Sequence, residues 1–254
     1  MKIILFYMIV LIKIKISCTQ GGHCAILKDM ENKLYKYELH CHTGCVSRCG
    51  RVEPEEIVKL YIENGYDGIV VTDHYSPMTF TPNWRPQKQV DFYLSGYRRM
   101  KRAAEKLNPD FTVLLGMELR HYGTANDYLI YGVNEDFIYA AGNLMKPWEK
   151  KVYDMCHKNG FLVFQAHPFR AGIRRCDERY IDGIEIYNGK TQKALNEKAE
   201  AWAKRSGKLV CSGSDFHTKA HTARGGIITK VPIKSNSDLL NVLKSQDFEI
   251  IKTY

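Results

Sequence analysis

The chain has 254 residues, of which 44% are hydrophobic and 26% are charged, values that are ordinary for a soluble globular enzyme. This length fits one large α/β domain or two small ones with a substantial buried core. The formal net charge is +9, but residues 1–29 carry four Lys and one Asp, so the rest of the chain holds +6. That moderate excess is compatible with anionic substrates, phosphate esters included, and equally with a solvated basic surface. The eight cysteines include no Cys-x-x-Cys pair and no dense disulfide framework, which argues against a disulfide scaffold and favours reduced thiols in a cytoplasmic protein.

The amino-terminal stretch allows three interpretations. Ile3–Ile12 is an apolar run that resembles the core of a short export signal. A short membrane anchor is the second interpretation, although the run is too short for a comfortable membrane span. Lys13 and Lys15 interrupt the segment where a signal should stay apolar or small. The third interpretation, which we favour, makes Met30 the true start. Residues 1–29 would then be a leader or a mis-assigned start, dispensable for folding and catalysis.

From Leu34 onward, short apolar runs alternate with amphipathic stretches, a pattern typical of repeated βα units. The predicted strands are a first one ending at His40, then Gly68–Thr72, Phe111–Glu118, Tyr128–Tyr131, Phe161–Gln165, Gly183–Tyr187 and Lys208–Cys211. Three helices are predicted. The first begins at Pro54 and ends before Gly65, the second lies near Asp91–Leu107, and the third covers Gln192–Ser206. The long polar connection Tyr75–Val90 is predicted to be an ordered loop over the site. No repeat or linker divides this region, so we predict a single α/β domain over residues 30–254.

Candidate metal ligands stand at the ends of these predicted strands. They are His40, His42, His74, Glu118, His167, Asp215 and His217. Because side chains alternate between the two faces of a strand, His40 and His42 point the same way, as do Asp215 and His217. Parallel barrels carry their chemistry at the carboxyl ends of strands. Imidazole and carboxylate together suit divalent transition metals such as zinc, manganese and iron, so we predict a multinuclear metal site.

The ordered set of motifs resembles that of the polymerase and histidinol phosphatase (PHP) superfamily over about Lys36 to Ile228. The motifs are His40-Cys41-His42-Thr43, Thr72-Asp73-His74, Gly116-Met117-Glu118, Ala166-His167-Pro168 and Ser214-Asp215-Phe216-His217. The resemblance implies a distorted, TIM-like (β/α)7 barrel with up to three metal ions and phosphoester hydrolysis as the usual activity. Carried over by position, it implies three ligand sets: His40, His42, Glu118 and Asp215; Glu118 and His167; and His74 and His217. Glu118 would then bridge two ions.

Two positions depart from the family pattern. The family commonly has an acidic residue or histidine a few positions after the first motif, whereas Thr43–Arg48 offers no carboxylate. Cys45 could replace it as a thiolate that favours zinc, or the third site could be weak or empty. The family also often has a histidine before the strand that follows Glu118, where this chain has Asp127. Asp127 could be a harder ligand or a carboxylate of the turn that begins the strand.

Hydrolysis at such a centre needs no protein nucleophile, and the chain has no Gly-x-Ser-x-Gly elbow. A metal-bound water with its pKa lowered towards about 7 would be a hydroxide nucleophile at neutral pH. Arg170, three residues after His167, is a candidate catalytic residue and phosphate contact, because a guanidinium fork matches phosphate oxygens. Arg120 is a second candidate for substrate binding and Lys190 a weaker third.

The sequence therefore predicts a metal-dependent phosphoesterase that acts on a small phosphorylated molecule, a nucleotide being possible. The main alternative is a non-catalytic or regulatory domain that retains some metal ligands, and a further one is hydrolysis of a non-phosphate ester or amide at the same metals. A polymerase-associated proofreading domain is not expected, since 254 residues leave no room for a polymerase. We expect no membrane association and no stable nucleic-acid complex.

Overall fold

The computed structural model describes residues 33–81, 83–146 and 149–254. The interpretations of residues 1–29 concern a stretch that lies outside these residues. The described strands are β1 (Tyr35–Cys41), β2 (Gly68–Val71), β3 (His74–Tyr75), β4 (Thr112–Leu115), β5 (Met117–Arg120), β6 (Asp127–Tyr131), β7 (Leu162–Gln165), β8 (Gly183–Asn188), β9 (Leu209–Gly213), β10 (Gly225–Thr229) and β11 (Glu249–Lys252). The described helices are α1 (Pro54–Glu63), α2 (Pro86–Leu107), α3 (Glu135–Ala140), α4 (Glu149–Lys158), α5 (Lys193–Ser206) and α6 (Asn236–Ser245). Among these helices, none is long and apolar enough to cross a lipid bilayer.

The strands from β1 to β9 close into a barrel, as predicted. β1, β2 and β4 pair in parallel, β5 continues directly from β4, and the sheet then runs through β6, β7 and β8 to β9. The barrel closes where Phe216, just beyond β9, meets β1. The Phe216 amide donates to the His40 carbonyl at 3.1 Å, and the His42 amide donates to the Phe216 carbonyl at 3.0 Å. This closure brings the first and last ligand motifs side by side.

One barrel strand runs against the others. β6 is antiparallel to both β5 and β7, whereas β7, β8 and β9 pair in parallel. The amino end of β6, where Asp127 lies, is therefore at the same mouth of the barrel as the carboxyl ends of the parallel strands. This reversal places Asp127 among side chains that follow or end other strands.

The third predicted strand, Phe111–Glu118, is divided at Gly116 into β4 and β5. A Cβ at Gly116 would lie 2.7 Å from Val70 Cγ1 on β2, so only glycine permits this close approach. The change of direction lets β5 leave β2 and pair with β3, where Glu118 stands opposite His74. The break thereby positions Glu118 beside a second candidate ligand.

The structure also contains elements that the sequence did not predict. α2 begins at Pro86, five residues before the predicted start, because proline fits a first helical turn and Val90 is buried while the other early positions are polar. α3, α4 and α6 were not predicted, nor were β10 and β11. β10 pairs antiparallel with the first half of β1 and β11 with β10, so both strands extend the sheet beyond the barrel. Tyr35–Tyr254 form one compact unit.

Three apolar clusters hold the helices against the barrel. One packs α1 and α2 on β2 and β4 through Ile57, Tyr61, Ile69, Met100 and Val113. A second packs α2, α4 and α5 on β5 to β8 and includes Leu94, Val152, Ile184 and Trp202. A third packs α6 on β6 and β7 and includes Leu129, Phe164, Leu239 and Leu243. Burial of large side chains on this scale is the main stabilising contribution to the barrel that carries the site.

Glu38 is a fully buried carboxyl two residues before His40, and it fixes β1 against the segment after β9. Its Oε1 accepts from the His40 and Ser214 amides, both at 2.8 Å, and its Oε2 accepts from the Tyr61 hydroxyl at 2.7 Å. Burial raises the pKa of Glu38 to about 7, although hydrogen bonds from Ser214, His40 and Tyr61 act to lower it.

This raised pKa predicts a pH-dependent loss of stability. A carboxyl whose folded pKa of about 7 exceeds the ordinary value of 4.5 stabilises the fold fully below pH 4.5, and that contribution is lost as the pH rises through 7. The difference amounts to about 3 kcal/mol above pH 7. Glu38→Gln mimics the neutral carboxyl and does not titrate. The free energy of unfolding of this variant, relative to that of the parent, should therefore increase from pH 5 to pH 8, as measured by urea titrations of the chelator-treated proteins. Glu63→Gln, at an exposed position on α1, is the control and should follow the parent; identical slopes for Glu38→Gln and parent would contradict the prediction.

Candidate metal centre

Glu118 lies at the centre of a buried group of histidines at the mouth of the barrel. Its Oε1 is 3.2 Å from His40 Nε2 and 3.0 Å from His167 Nε2. Its Oε2 is 3.4 Å from His42 Nε2 and 2.6 Å from His74 Nδ1. One carboxylate therefore faces four imidazoles. These imidazoles come from three of the other predicted motifs.

Asp215 closes the opposite side of the same group. Its Oδ1 is 3.6 Å from His40 Nε2, 3.4 Å from His42 Nε2 and 3.2 Å from His217 Nδ1. His40 and His42 thus lie between two carboxylates, with their ring centroids 5.1 Å apart. The alternation rule correctly predicted that these two rings share a side.

The backbone at two of these residues is held in the left-handed region. His167 has φ 29° and Asp215 has φ 52°. Non-glycine residues rarely adopt these angles, which cost of order 1 kcal/mol or more and persist where the surrounding structure imposes them. In both cases the unusual turn follows a barrel strand and carries the side chain to the cluster.

The side chains offer overlapping ligand sets. Four groups of three ligand atoms each lie within 4.8 Å of one another: His42, His74 and His217; His40, His42 and Asp215; His40, Glu118 and His167; and His74, Glu118 and Asp127. His40 Nε2 and His42 Nε2 are buried without a hydrogen bond of good geometry in the residues that the structure describes. Buried polar atoms normally have partners, and a metal ion satisfies such atoms. This donor set of imidazole nitrogens and carboxylate oxygens fits a multinuclear site for divalent transition metals.

The protonation of the cluster follows from its charges. Burial would raise the pKa of Glu118, but His74 and His40 outweigh it and hold that pKa well below its usual range. Burial would lower the pKa of His40, but Glu185, Asp215 and Glu118 hold it well above its usual range. The pKa of His42 is held well below its usual range by burial and by the neighbouring His217 and His74. Glu118 is therefore ionised and His42 is neutral, the states in which these groups bind metal, whereas the raised pKa of His40 means that this ring must release a proton when it binds an ion.

Asp127 and Arg120 form a pair at the edge of the cluster. Asp127 Oδ2 is 3.8 Å from His167 Nε2, so the residue lies within reach of the candidate ligands. Both oxygens also accept from Arg120, at 2.7 Å from Nε and 2.5 Å from Nη2. The sequence proposed Arg120 as a phosphate contact, but in the structure its fork is occupied by this bidentate ion pair. Arg120 is therefore better placed to orient Asp127 than to bind a substrate.

The structure does not bring Cys45 into any of the four ligand groups. Its thiol packs against the apolar cluster around α2 and lies 3.5 Å from Thr43 Oγ1, and burial raises its pKa. The cysteine beside the histidines is Cys49. Burial alone would raise the pKa of Cys49, but hydrogen bonds with His217 and His74 lower it to about 6. The sequence analysis proposed Cys45 because the family's additional ligand lies a few positions after the first motif. It could not propose Cys49, because the turn that carries Cys49 back to the cluster is not visible in the sequence.

Asp73 organises that turn after β1. Its Oδ1 accepts from the Thr43 amide and the Ser47 hydroxyl, and its Oδ2 accepts from the Thr43 hydroxyl, all at 2.7 Å. Ser47 Oγ is in turn 3.2 Å from His42 Nδ1. Asp73 therefore holds the loop that fixes the orientation of the His42 ring.

Arg170 and Lys190, the two other cations that the sequence proposed as phosphate contacts, both lie beside Asp215. Arg170 Nη2 donates to Asp215 Oδ2 at 2.7 Å, to Asn188 Oδ1 at 2.9 Å and to Thr191 Oγ1 at 3.2 Å. Lys190 Nζ is 3.7 Å from Asp215 Oδ2 and 3.2 Å from His217 Nδ1. Both side chains are partly exposed, 31% and 28% respectively, so both are accessible to a ligand at the cluster.

Glu185 is a site residue that the sequence reasoning missed. It is fully buried on β8, where its Oε1 lies 2.8 Å from His40 Nδ1. Its Oε2 accepts from the His167 amide at 2.8 Å and from Asn188 Nδ2 at 3.0 Å. A carboxylate behind a histidine fixes the ring orientation and increases its basicity as a ligand. The available signal was a glutamate inside the otherwise apolar run Gly183–Tyr187.

Glu185→Gln is expected to weaken metal binding by about 10- to 100-fold, because the amide NH2 must face either the donors at His167 and Asn188 or the His40 Nδ1–H, and the hydrogen bonds on that side are lost. Competition with a chromophoric chelator measures this affinity directly. Glu200→Gln on α5, an exposed position paired with Lys252, is the matched control and should bind metal like the parent. Equal affinities in all three proteins would show that Glu185 does not position the ligands.

The fold and the buried ligand cluster define a metal-binding α/β barrel, and comparison with known proteins places it in a family. Residues 38–231 match the PHP domain, so the chain belongs to the PHP-domain family. Members of this family are metal-dependent hydrolases. No protein in a search of curated sequences matches at a significant level.

Solved structures share the fold at low sequence identity. PsfC from Pseudomonas syringae is 16% identical with a TM-score of 0.62, over 87% of this chain and 92% of that one. A proposed metal-dependent phosphoesterase from Bifidobacterium adolescentis is 16% identical with a TM-score of 0.51, over 82% and 95%. The lesion-specific endonuclease PfuEndoQ from Pyrococcus furiosus is 12% identical with a TM-score of 0.55, over 86% of this chain but only 58% of its own. At these identities the likeness establishes the architecture, a distorted barrel of the PHP type.

Proposed function

We propose that this protein is a metal-dependent phosphoesterase that hydrolyses a small phosphorylated molecule, a nucleotide included. The proposal rests on two features that lie side by side. One is the buried group of candidate ligand atoms, and the other is a pair of partly exposed cations, Arg170 and Lys190, beside Asp215. Phosphate requires both, since its oxygens carry negative charge in the ground state and during displacement. No membrane and no stable nucleic-acid complex are part of the proposal.

The proposed ligand sets are those that the family resemblance implies, and the four groups of neighbouring ligand atoms are compatible with them. His40, His42, Glu118 and Asp215 would hold one ion, Glu118 and His167 a second, and His74 and His217 a third. Asp127 lies close enough to His167 to join the second set. Bound divalent ions of this kind supply Lewis acidity and lower the pKa of water towards about 7. The chain's own task is to keep Glu118 and Asp215 ionised and the rings oriented.

Arg170 has the geometry of a phosphate contact. Burial would lower its pKa, but Asp215 raises it, so the guanidinium stays charged. Only Nη2 is used by Asp215, Asn188 and Thr191, which leaves Nε and Nη1 for phosphoryl oxygens. Lys190 adds a second positive charge on the same side of Asp215. Together they would orient the phosphoryl group and balance the charge that spreads over its oxygens.

Elemental analysis followed by assays with added manganese or zinc tests the proposal. The expected result is two or three ions per chain and hydrolysis of at least one class within a panel of phosphomonoesters, phosphodiesters and nucleotides. Bound metal without any hydrolysis would favour the regulatory alternative. Hydrolysis of carboxylic esters or amides alone would overturn the assignment of phosphate as the substrate group.

A further inference from the structure

A second cavity opens beside the candidate metal centre. It has a volume of about 550 Å³ and lies between the turns that follow β8 and β9 and the carboxyl-terminal segment. We call it the rim pocket; the residues used below are Lys190, Lys193, His221 and Arg224. Its size falls within the range of cavities that accept small-molecule ligands, about 300–1,000 Å³.

Positive charge predominates in the rim pocket, although Lys190 Nζ lies 3.7 Å from Asp215 Oδ2. Two lysines, one arginine and a histidine line it, and its described lining contains no aspartate or glutamate. Arg224 Nη1 donates only to the Gly189 carbonyl, at 3.4 Å, and Lys193 Nζ lies 5.3 Å from the Tyr254 ring centroid. Neither forms an ion pair with a carboxylate in the part of the chain that the structure describes.

Several arginines elsewhere on the described surface form ion pairs, namely Arg98 with Glu135, Arg99 with Glu55, and Arg179 with Asp177. The rim pocket instead gathers Lys193 and Arg224, which have no such partner among the described residues, around one concave surface. Unpaired cations gathered around a concave surface focus a positive potential there. Such a surface suits an anionic ligand group.

The rim pocket is continuous with the metal centre. Lys190 lines the pocket and reaches His217 Nδ1 at 3.2 Å, and the His217 amide donates to His221 Nδ1 at 3.2 Å. Thr191, also in the lining, accepts from Arg170 at 3.2 Å. A molecule with its phosphoryl group between Arg170 and Lys190 would therefore extend into the pocket.

We propose that the rim pocket binds a second anionic group of the same substrate, so that this protein acts on small phosphate esters that also carry a phosphate or a carboxylate. The inference rests on the proposed function, which places the phosphoryl group to be hydrolysed at the metal centre. Arg224 and Lys193 are the specificity determinants, because they lie in the pocket without contacting the candidate metal ligands. Their charges select the substrate by affinity and leave the hydrolytic step to the centre.

Three matched esters test the proposal: butyl phosphate, 4-phosphooxybutanoate and butane-1,4-diol bisphosphate. They share a four-carbon chain and differ in the end group, which is neutral, a carboxylate or a phosphate. The metal-loaded parent should have a KM at least about 10-fold lower for one or both of the doubly anionic esters than for butyl phosphate. The two anionic esters distinguish a carboxylate from a phosphate as the preferred group.

The variant Lys193→Ala/Arg224→Ala should raise the KM for the preferred ester by about 10- to 100-fold. Its kcat, its metal content and its KM for butyl phosphate should stay at the parental values. Arg224→Lys should restore part of the affinity, since it returns charge without the planar fork. Lys198→Ala, an exposed position on α5 outside the pocket, is the control and should match the parent.

Binding of the same esters by titration calorimetry to chelator-treated protein separates this proposal from the proposed function. Tight binding of an anionic ester that the double variant loses would support the rim pocket even if no ester is hydrolysed. Hydrolysis of all three esters with equal KM would overturn the rim pocket while leaving the phosphoesterase proposal intact. An equal rise in KM for all three esters in the double variant would also overturn the rim-pocket proposal, because the pocket would then not distinguish esters that carry a second negative charge.

Discussion

Glu118→Gln is expected to remove most of the bound metal and nearly all of the hydrolytic activity. The two oxygens of Glu118 face His40 and His167 on one side and His42 and His74 on the other. An amide offers one neutral oxygen and an NH2 group that would point at imidazole nitrogens, so it cannot bridge two cations. Loss of the bridging charge corresponds to several kcal/mol at the transition state, or at least about 10³-fold in kcat/KM.

Elemental analysis and steady-state rates on the same preparations measure both effects. Glu63→Gln on α1 removes an equivalent charge from an exposed site and should leave metal content and rate unchanged. Circular dichroism separates loss of metal from loss of the fold. Parental metal stoichiometry in Glu118→Gln would contradict a bridging role for this residue.

Arg170→Ala is expected to lower kcat by about 10²-fold while the metal content stays near the parental value. The guanidinium contacts Asp215, a candidate ligand, but the ligand oxygen nearest His40 and His42 is Oδ1, whereas Arg170 bonds Oδ2. Its removal should therefore take away the proposed phosphate contact and leave the cluster assembled. Because charge redistributes over the phosphoryl oxygens during displacement, the loss should fall mainly on kcat.

Arg170→Lys is the graded comparison and should recover only part of the rate, since an ammonium supplies charge without the planar fork. Arg179→Ala, at an exposed arginine paired with Asp177, is the control for removing a surface guanidinium. If Arg170→Ala hydrolyses phosphate esters at the parental rate, the phosphate contact lies elsewhere. Lys190 is then the next candidate, because Arg120 is engaged by Asp127.

Several features of the site were predictable because they depend on short-range rules. His40 and His42 share a side of the backbone by alternation, and Glu118 follows an apolar strand in which an isolated charge would be costly. Asp215 and His217 also meet, but through the left-handed turn at Asp215 after β9 and not by strand alternation. The barrel strands are short apolar runs whose type is visible locally. Asp127 could be proposed because a carboxylate stood where the family has a histidine, but its position at the common mouth depends on the reversed direction of β6.

The remaining features depend on pairs that are distant in the chain. Glu185 meets His40 across 145 residues, and Arg170 meets Asp215 across 45. The helices α3, α4 and α6 and the strands β10 and β11 gain their stability from packing against the barrel, which overrides weak local patterns. The turn after β1 brings Cys49 rather than Cys45 to His74 and His217 because Asp73, from the next strand's end, holds Thr43 and Ser47.

The sequence by itself determined the repeated βα pattern and the order of the candidate histidines and carboxylates at the strand ends, since periodicity and residue chemistry are local properties. The resemblance of the ordered motifs to those of the PHP superfamily implied the barrel class. Only the tertiary structure decided which of these side chains meet, that Arg120 is engaged by Asp127, that Glu185 supports His40, and that a cationic pocket adjoins the centre. The physical reason is that closure of the barrel converts positions far apart in the chain into contacts of about 3 Å, and side-chain pairing energies become defined only at those distances.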